Sequence, residues 1–211
     1  MQKIALKAKD VLVFQGDSVT DCECSKNDNR YLGHGYVSLI AGRLLAEHPE
    51  LELTVYNKGI SGNRVYDLEA RWDRDCIDLK PTVLTILIGI NDTWRRFDSN
   101  VISKPEDFKA CYKRILDKTL EKLSPTLVLM DPFVLPVPED RRMWREDLDA
   151  RINIVRELAK EYKAFYVPLD GLFHQAAATT PYEYWCPDGV HPTLAGHGLI
   201  AKAWLETVLG K

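Results

Sequence analysis

Short runs rich in β-branched and aromatic residues alternate with stretches of helical periodicity from one end of this 211-residue chain to the other. The strand-like runs cover residues 11–15, 53–57, 82–88, 126–130 and 164–167. Between them, Val37, Ile40, Ala41, Leu44 and Leu45 fall on one face of a helix over 35–48, which Pro49 stops, and residues 65–76 read as a second helix. Phe108, Cys111, Ile115, Leu116, Leu120 and Leu123 mark a third, and Leu148, Ile152, Val155, Leu158, Ala159 and Tyr162 a fourth. A Thr- and aromatic-rich loop is expected at 179–185, and a last helix follows Pro192 at a first-turn position. Such βαβ repetition buries both faces of a sheet, so the expected fold is α/β: a three-layer sandwich with a central five-stranded parallel sheet, helices on both faces and right-handed crossovers. Run 82–88 is almost wholly apolar and belongs at the centre. No repeat or linker divides the chain, so residues 1–211 read as one domain.

Charge narrows the partners. A formal net charge of −3 gives no reason to expect nucleic acid or an anionic membrane. No apolar run approaches the ~18 to 20 residues that cross a bilayer, and the first ten residues lack the apolar core of a signal peptide, so a cytoplasmic location is expected. Cys22, Cys24, Cys76, Cys111 and Cys186 are odd in number and scattered, which suits reduced thiols. Cys22 and Cys24 form C-x-C and not the C-x-x-C of zinc sites, so neither a metal nor a cofactor is expected.

Three islands carry chemistry. Gly16-Asp17-Ser18 follows the first strand, Gly89-Ile90-Asn91-Asp92 the third, and Asp188-Gly189-Val190-His191 lies near the end. In an open parallel sheet, ligands bind beyond the carboxyl ends of the strands. A serine hydroxyl is a weak nucleophile and needs a base that takes its proton and a third group that holds the base. His191 and Asp188, three residues apart, are the candidates beside Ser18. The sign of the His191 pKa shift stays open, because a following helix N-terminus disfavours imidazolium while Asp188 favours it. Three donors for an oxyanion fall after neighbouring strands: the Ser18 N–H, Gly62 within Gly59-Ile60-Ser61-Gly62-Asn63, and the Asn91 amide. Asp17, Asn63, Trp94 and Trp185 flank these positions and are the candidate substrate contacts.

Ser18, Gly62, Asn91 and His191, each within its own motif and in this order, resemble the SGNH (GDSL-type) hydrolases. The resemblance implies a flavodoxin-like fold and esterase or lipase activity. It makes Ser18 the nucleophile, Gly62 and Asn91 partners of the Ser18 N–H in the oxyanion hole, and His191 with Asp188 the rest of a triad. Within the family, Asn57-Lys58-Gly59-Ile60-Ser61-Gly62-Asn63, Ala70-Arg71-Trp72, Ile88-Gly89-Ile90-Asn91-Asp92-Thr93-Trp94-Arg95 and the run from Val190 to His197 are most similar to intracellular acetyl-xylooligosaccharide esterases. The expected substrate is then a small acylated sugar. Gly16-Asp17-Ser18-Val19 has valine where the family pattern has leucine, a side chain expected to pack inward.

Plainer roles exist for each residue alone. Ser18 suits a helix N-cap with Asp17 beside it, Asn91-Asp92 a turn or cap pair, and Gly62 a turn glycine. His34, His48, His174 and His197 lack a carboxylate at the spacing of Asp188 and His191 and read as structural or surface residues. Arg95, Arg96, Arg141 and Arg142 read as solvated charges or as contacts in a homo-oligomer. A lysophospholipase or acyl-thioesterase competes within the family, and a non-catalytic flavodoxin-like binding module, such as a nucleotide binder, competes from outside it. That last reading needs a phosphate-cradling glycine loop, and Asp17 and Asp21 stand where a phosphate would be repelled.

Overall fold

Alternate residues of a strand point to opposite faces, and this chain supplies apolar side chains to both. A computed structural model describes residues 3–210. Its strands β1 (Val11–Gly16), β2 (Thr54–Gly59), β3 (Val83–Leu87), β4 (Thr126–Met130) and β5 (Phe165–Val167) form one parallel sheet in the order β2-β1-β3-β4-β5. Every residue of β3 is buried, as its run of apolar residues requires.

Helices cover both faces. Leu12, Phe14, Val83, Val128 and Met130 face α2 (Tyr36–Glu47), α8 (Leu169–Ala176) and α10 (Leu194–Val208). Val13, Leu84, Ile86, Leu127 and Leu129 face α3 (Val65–Ala70), α4 (Trp72–Asp75), α6 (Pro105–Lys122) and α7 (Arg145–Glu161). A smaller cluster of Ile90, Val134, Trp144, Leu148, Ile152 and Val190 fills the space above β3 and β4. The remaining helices are α1 (Ser18–Asp21), α5 (Ile90–Ser99) and α9 (Tyr182–Trp185).

The strand bounds fall within two residues of those expected, because apolar runs are bounded by the polar residues of turns. Three expectations need correction, and one helix is new. The helix over 65–76 is broken at Arg71, whose backbone (φ −113°, ψ 10°) ends α3 and starts α4. Helix α5 adds an element where none was assigned; its buried first turn contains Asn91, Asp92 and Thr93, so no apolar stripe announces it. Residues 182–185 of the expected loop make the single turn α9. The last helix is capped by Thr193, whose hydroxyl accepts the Gly196 N–H, so Pro192 lies outside its first turn.

The sheet order fixes where a site can form. From β1 the chain goes to one side for β2 and then crosses to the other for β3, so the switch point lies at β1 and β3. Gly16 pairs with Gly59 on one side and Leu87 on the other, which brings the segments after β1, β2 and β3 to one level.

Candidate active site

β1 ends at Gly16, and Asp17 turns the chain into α1 by accepting the Val19 N–H on Oδ1 at 3.0 Å. Asp17, not Ser18, is therefore the N-cap. It is only 1% exposed, and burial pushes its carboxyl up to about 7, against the opposing pull of the Val19 N–H and nearby His191. Enclosed in this way, Asp17 supports the turn and has almost no exposed surface. Val19 packs inward, 3% exposed. Ser18 is the first helical residue, and its hydroxyl lies 2.8 Å from His191 Nε2.

His191 is reached from a loop fixed by Asp188. One carboxylate oxygen, Oδ1, accepts the backbone N–H groups of Val190 (3.0 Å) and His191 (2.7 Å), while Oδ2 takes the imidazole Nδ1 at 2.6 Å. Because a carboxylate only accepts, Nδ1 carries the proton and Nε2 is left to accept from Ser18. Burial works to raise the Asp188 carboxyl, but the hydrogen bonds from the His191 ring and the two backbone N–H groups outweigh it and bring it down to about 2. The bond to Asp188 lifts the His191 imidazole above its usual 6.5, opposed by partial burial. The structure thus signs the shift that the sequence left open. Leu135 N–H donates to the Gly189 carbonyl at 2.8 Å and docks the loop against the segment after β4.

The other two segments meet beside Ser18. Asn91 is buried in the first turn of α5, and its Nδ2 donates to the Asn63 carbonyl at 3.1 Å, which uses one of its two amide protons. Gly62 is exposed with φ +81°, a conformation that favours glycine. The Ser61 N–H before it is held by Asp21 Oδ2 at 2.9 Å. Asn63 is tied down at both ends, since Oδ1 accepts from Arg71 Nε at 2.9 Å, so it serves the loop more than the cavity. Asp92, in the same turn as Asn91, accepts the Val65 N–H at 3.2 Å and is pushed up to about 7 by burial.

Trp94 lies against His191, with ring centroids 5.8 Å apart, and is backed by Trp144 at 5.2 Å. Trp185 does not join it: its ring packs towards the α8 and α10 core and edge-on to Tyr184, and its carbonyl holds the Thr193 N–H at 2.8 Å. Arg141 is no solvated charge either, for its guanidinium covers Trp144 at 4.1 Å and Trp94 at 5.1 Å. Arg96 bridges α5 to Glu146 and Asp147. His197 is a structural residue: Nδ1 accepts the Tyr36 N–H at 3.2 Å, Nε2 meets Cys22 Sγ at 3.1 Å, and burial lowers it to about 4. His174 does have a carboxylate, Asp170 at 3.8 Å one helical turn back, but Arg145 already holds that group. Asp21 and Arg71 were missed as supports because nothing local marks a residue whose partners lie on other loops. A cavity of about 330 Å³ opens at Ser18 and His191, lined also by Asp21, Cys22, His34 and Ser61.

The profile of the GDSL-like lipase/acylhydrolase family matches residues 14–199. The chain is 36% identical over 204 residues to an acetylxylan esterase of Geobacillus stearothermophilus, with 93% of each covered. A protein of Parabacteroides merdae solved as a GDSL-like lipase superposes with a TM-score of 0.93 at 38% identity over 98% of both chains. The acetylxylan esterase Axe2 of Geobacillus stearothermophilus superposes with a TM-score of 0.87 at 33% identity, covering 97% of this chain and 96% of the other. Catalytic mutants of Axe2 with alanine in place of a serine or of a histidine share the fold, with TM-scores of 0.86 and 0.87. The likeness runs from β1 into α10 and takes in all three islands at the sheet edge: the chain belongs to the GDSL-like lipase/acylhydrolase family and is a carboxylic ester hydrolase.

Proposed function

We propose that the protein removes small acyl groups, acetyl foremost, from sugars through a Ser18-His191-Asp188 triad and an acyl-enzyme. The observation that carries this reading is the unbroken relay from Ser18 Oγ to His191 Nε2 (2.8 Å) and from His191 Nδ1 to Asp188 (2.6 Å). Ser18 Oγ attacks the ester carbonyl while its proton passes to His191, and Asp188 stabilises the imidazolium so formed. The oxyanion lies between the N–H groups of Ser18 and Gly62 and the free amide proton of Asn91. Collapse expels the sugar oxygen, which takes the proton back from His191. Water then attacks the acyl-serine with His191 again as base.

The substrate class rests on the surroundings. The cavity at Ser18 has a mixed lining, with Asp21, Glu23, His34 and Ser61 set among apolar surface that includes Val19 and Pro192, and Trp94 walls the histidine. Apolar surface interrupted by carboxylates and hydroxyls suits a sugar, with its ring face and its hydroxyls, better than it suits a long acyl chain, which needs an unbroken apolar wall. That a similar protein is an acetylxylan esterase, and that mutants of it at a serine and a histidine are catalytic mutants, supports the same reading. The test is a series of p-nitrophenyl esters from acetyl to octanoyl, together with acetylated xylose. The expected outcome is a steep fall in kcat/KM with chain length and release of acetate from the sugar. Faster hydrolysis of octanoyl esters with no acetate released would favour a lysophospholipase or thioesterase instead.

A further inference from the structure

The run Ala70-Arg71-Trp72 stands out in the sequence without a role in the chemistry above. Its tryptophan goes to the core, with Nε1 donating to Thr119 Oγ1 at 2.9 Å. The helix break at Arg71 sends the guanidinium elsewhere, under the edge of the sheet, where the side chain is 8% exposed. There it donates to three separate parts of the chain. Nε reaches Asn63 Oδ1 at 2.9 Å, Nη1 reaches Gln15 Oε1 at 2.9 Å and Asp75 Oδ2 at 3.1 Å, and Nη2 reaches the Gly16 carbonyl at 3.3 Å. Gln15 is itself oriented, because its Nε2 donates to the Asp75 carbonyl at 2.6 Å, and Asp75 balances the charge.

We propose that Arg71 is a positioning residue for ester hydrolysis, one that locks the loop carrying Gly62 to the end of the strand that delivers Ser18 and, through Asn63, sets the Asn91 amide. This rests on the reading of Ser18, Gly62 and Asn91 as the oxyanion donors.

The need for such a lock follows from where the sheet stops. Gly16 and Gly59 are the last paired residues of β1 and β2, so nothing in the ladder fixes residues 61–64. Packing does not fix them either: Gly62 is exposed, and the space where its Cβ would stand is open. Hydrogen bonds remain. Asp21 holds the Ser61 N–H, Ile60 O takes the Asn63 N–H at 3.1 Å, and the Asn63 side chain and carbonyl meet Arg71 and Asn91. The Ile60 N–H also donates to the Gly16 carbonyl, at 3.1 Å, but among the links that reach residues 61–64 Arg71 is the one that also grips Gln15 and Gly16, three and two residues before Ser18. Donors to an oxyanion act only when held to a few tenths of an ångström, so slack between the two loops is paid in rate and not in ground-state binding. The planar fork of arginine spans several acceptors at once, which the point charge of lysine does not.

The test uses Arg71→Met, Arg71→Lys, Arg71→Ala and Asn63→Ala, assayed on p-nitrophenyl acetate beside Ser18→Ala, with melting curves for each. Arg71→Met is expected to lower kcat by ~10- to 100-fold with KM within ~3-fold, and Asn63→Ala, which cuts only the link to the loop, by a similar order. The double variant should be no worse than Arg71→Met, since both changes break one chain of contacts. Free guanidinium at millimolar concentration should restore part of the activity of Arg71→Ala, and the acid limb of the pH profile should not move, because His191 is untouched. If Arg71→Met does not fold, Arg71→Lys and Asn63→Ala decide. Folded variants that keep kcat within ~2-fold, or lose only KM, overturn the proposal. Activity surviving in Ser18→Ala would sink the proposed mechanism itself, whereas an inactive Ser18→Ala beside a normal Asn63→Ala removes only the role of Arg71.

Discussion

Ser18 is held in the first turn of α1 with its hydroxyl against His191, so replacement by alanine removes one oxygen and leaves the turn in place. Ser18→Ala should lower kcat by at least ~10³-fold with an unchanged melting temperature, and a loss of less than ~10-fold would end its assignment as nucleophile. Asn91→Ala should lower kcat by ~10²-fold with little change in KM; a defect mainly in KM would make it a substrate-orienting group. The pH dependence follows from the neutral imidazole being the active base. Asp188 raises His191 above 6.5, so kcat/KM should climb with pH through an acid limb centred above that value. In Asp188→Asn the stabilising hydrogen bond to imidazolium is lost, so the limb should move to lower pH while kcat falls by ~10²- to 10⁴-fold. A limb that stays where it was would assign the ionisation to another group.

Among the elements, the short loop that carries the histidine depends most on one residue. Gly189 has φ +80°, and a Cβ there would stand 2.3 Å from the Leu135 carbonyl oxygen and 2.4 Å from that of Val137. Gly189→Ala must push the loop off the segment after β4, which moves Asp188 and His191 together. It should cost both stability, by ~1 to 3 kcal/mol, and most of kcat; calorimetry and steady-state kinetics on one preparation read both. A variant that melts lower but turns over normally would show that the loop tolerates the shift. The strands were legible as elements because period and composition are local properties. Helix α5 was not, since its buried first turn engages Asn91, Asp92 and Thr93 in hydrogen bonds to the Asn63 loop, α3 and α7 and shows no apolar stripe there. The break at Arg71 was equally hidden, because the acceptors that repay it, Gln15, Gly16 and Asn63, belong to other elements.

Across the whole molecule, the helical layers are fastened to the sheet by a few large side chains. Trp204 of α10 is fully buried beside Phe14, and its Nε1 donates to Thr85 Oγ1 in β3 at 3.0 Å. Trp204→Ala should cost ~3 to 5 kcal/mol in urea unfolding while kcat of the folded fraction stays near wild type, because the residue lies away from the loops of the site. Activity lost in step with a single substitution so deep in the core would instead couple that layer to the sheet edge. No helix among the described residues is long and apolar enough to cross a membrane. The order of apolar runs by itself dictated an α/β sheet and put Ser18 and Asn91 after strands, since backbone pairing and side-chain alternation are set within a few residues. The motifs named the triad and oxyanion candidates, but not which of their neighbours would be enclosed, as Asp17 is, or packed towards a helical layer, as Trp185 is. Only the tertiary structure decided those two, along with the sign of the His191 shift and the supports from Asp21 and Arg71. Direction of a side chain, burial of a charge and the partner that satisfies it depend on segments brought together by the strand order, and no local pattern encodes what a distant loop will present.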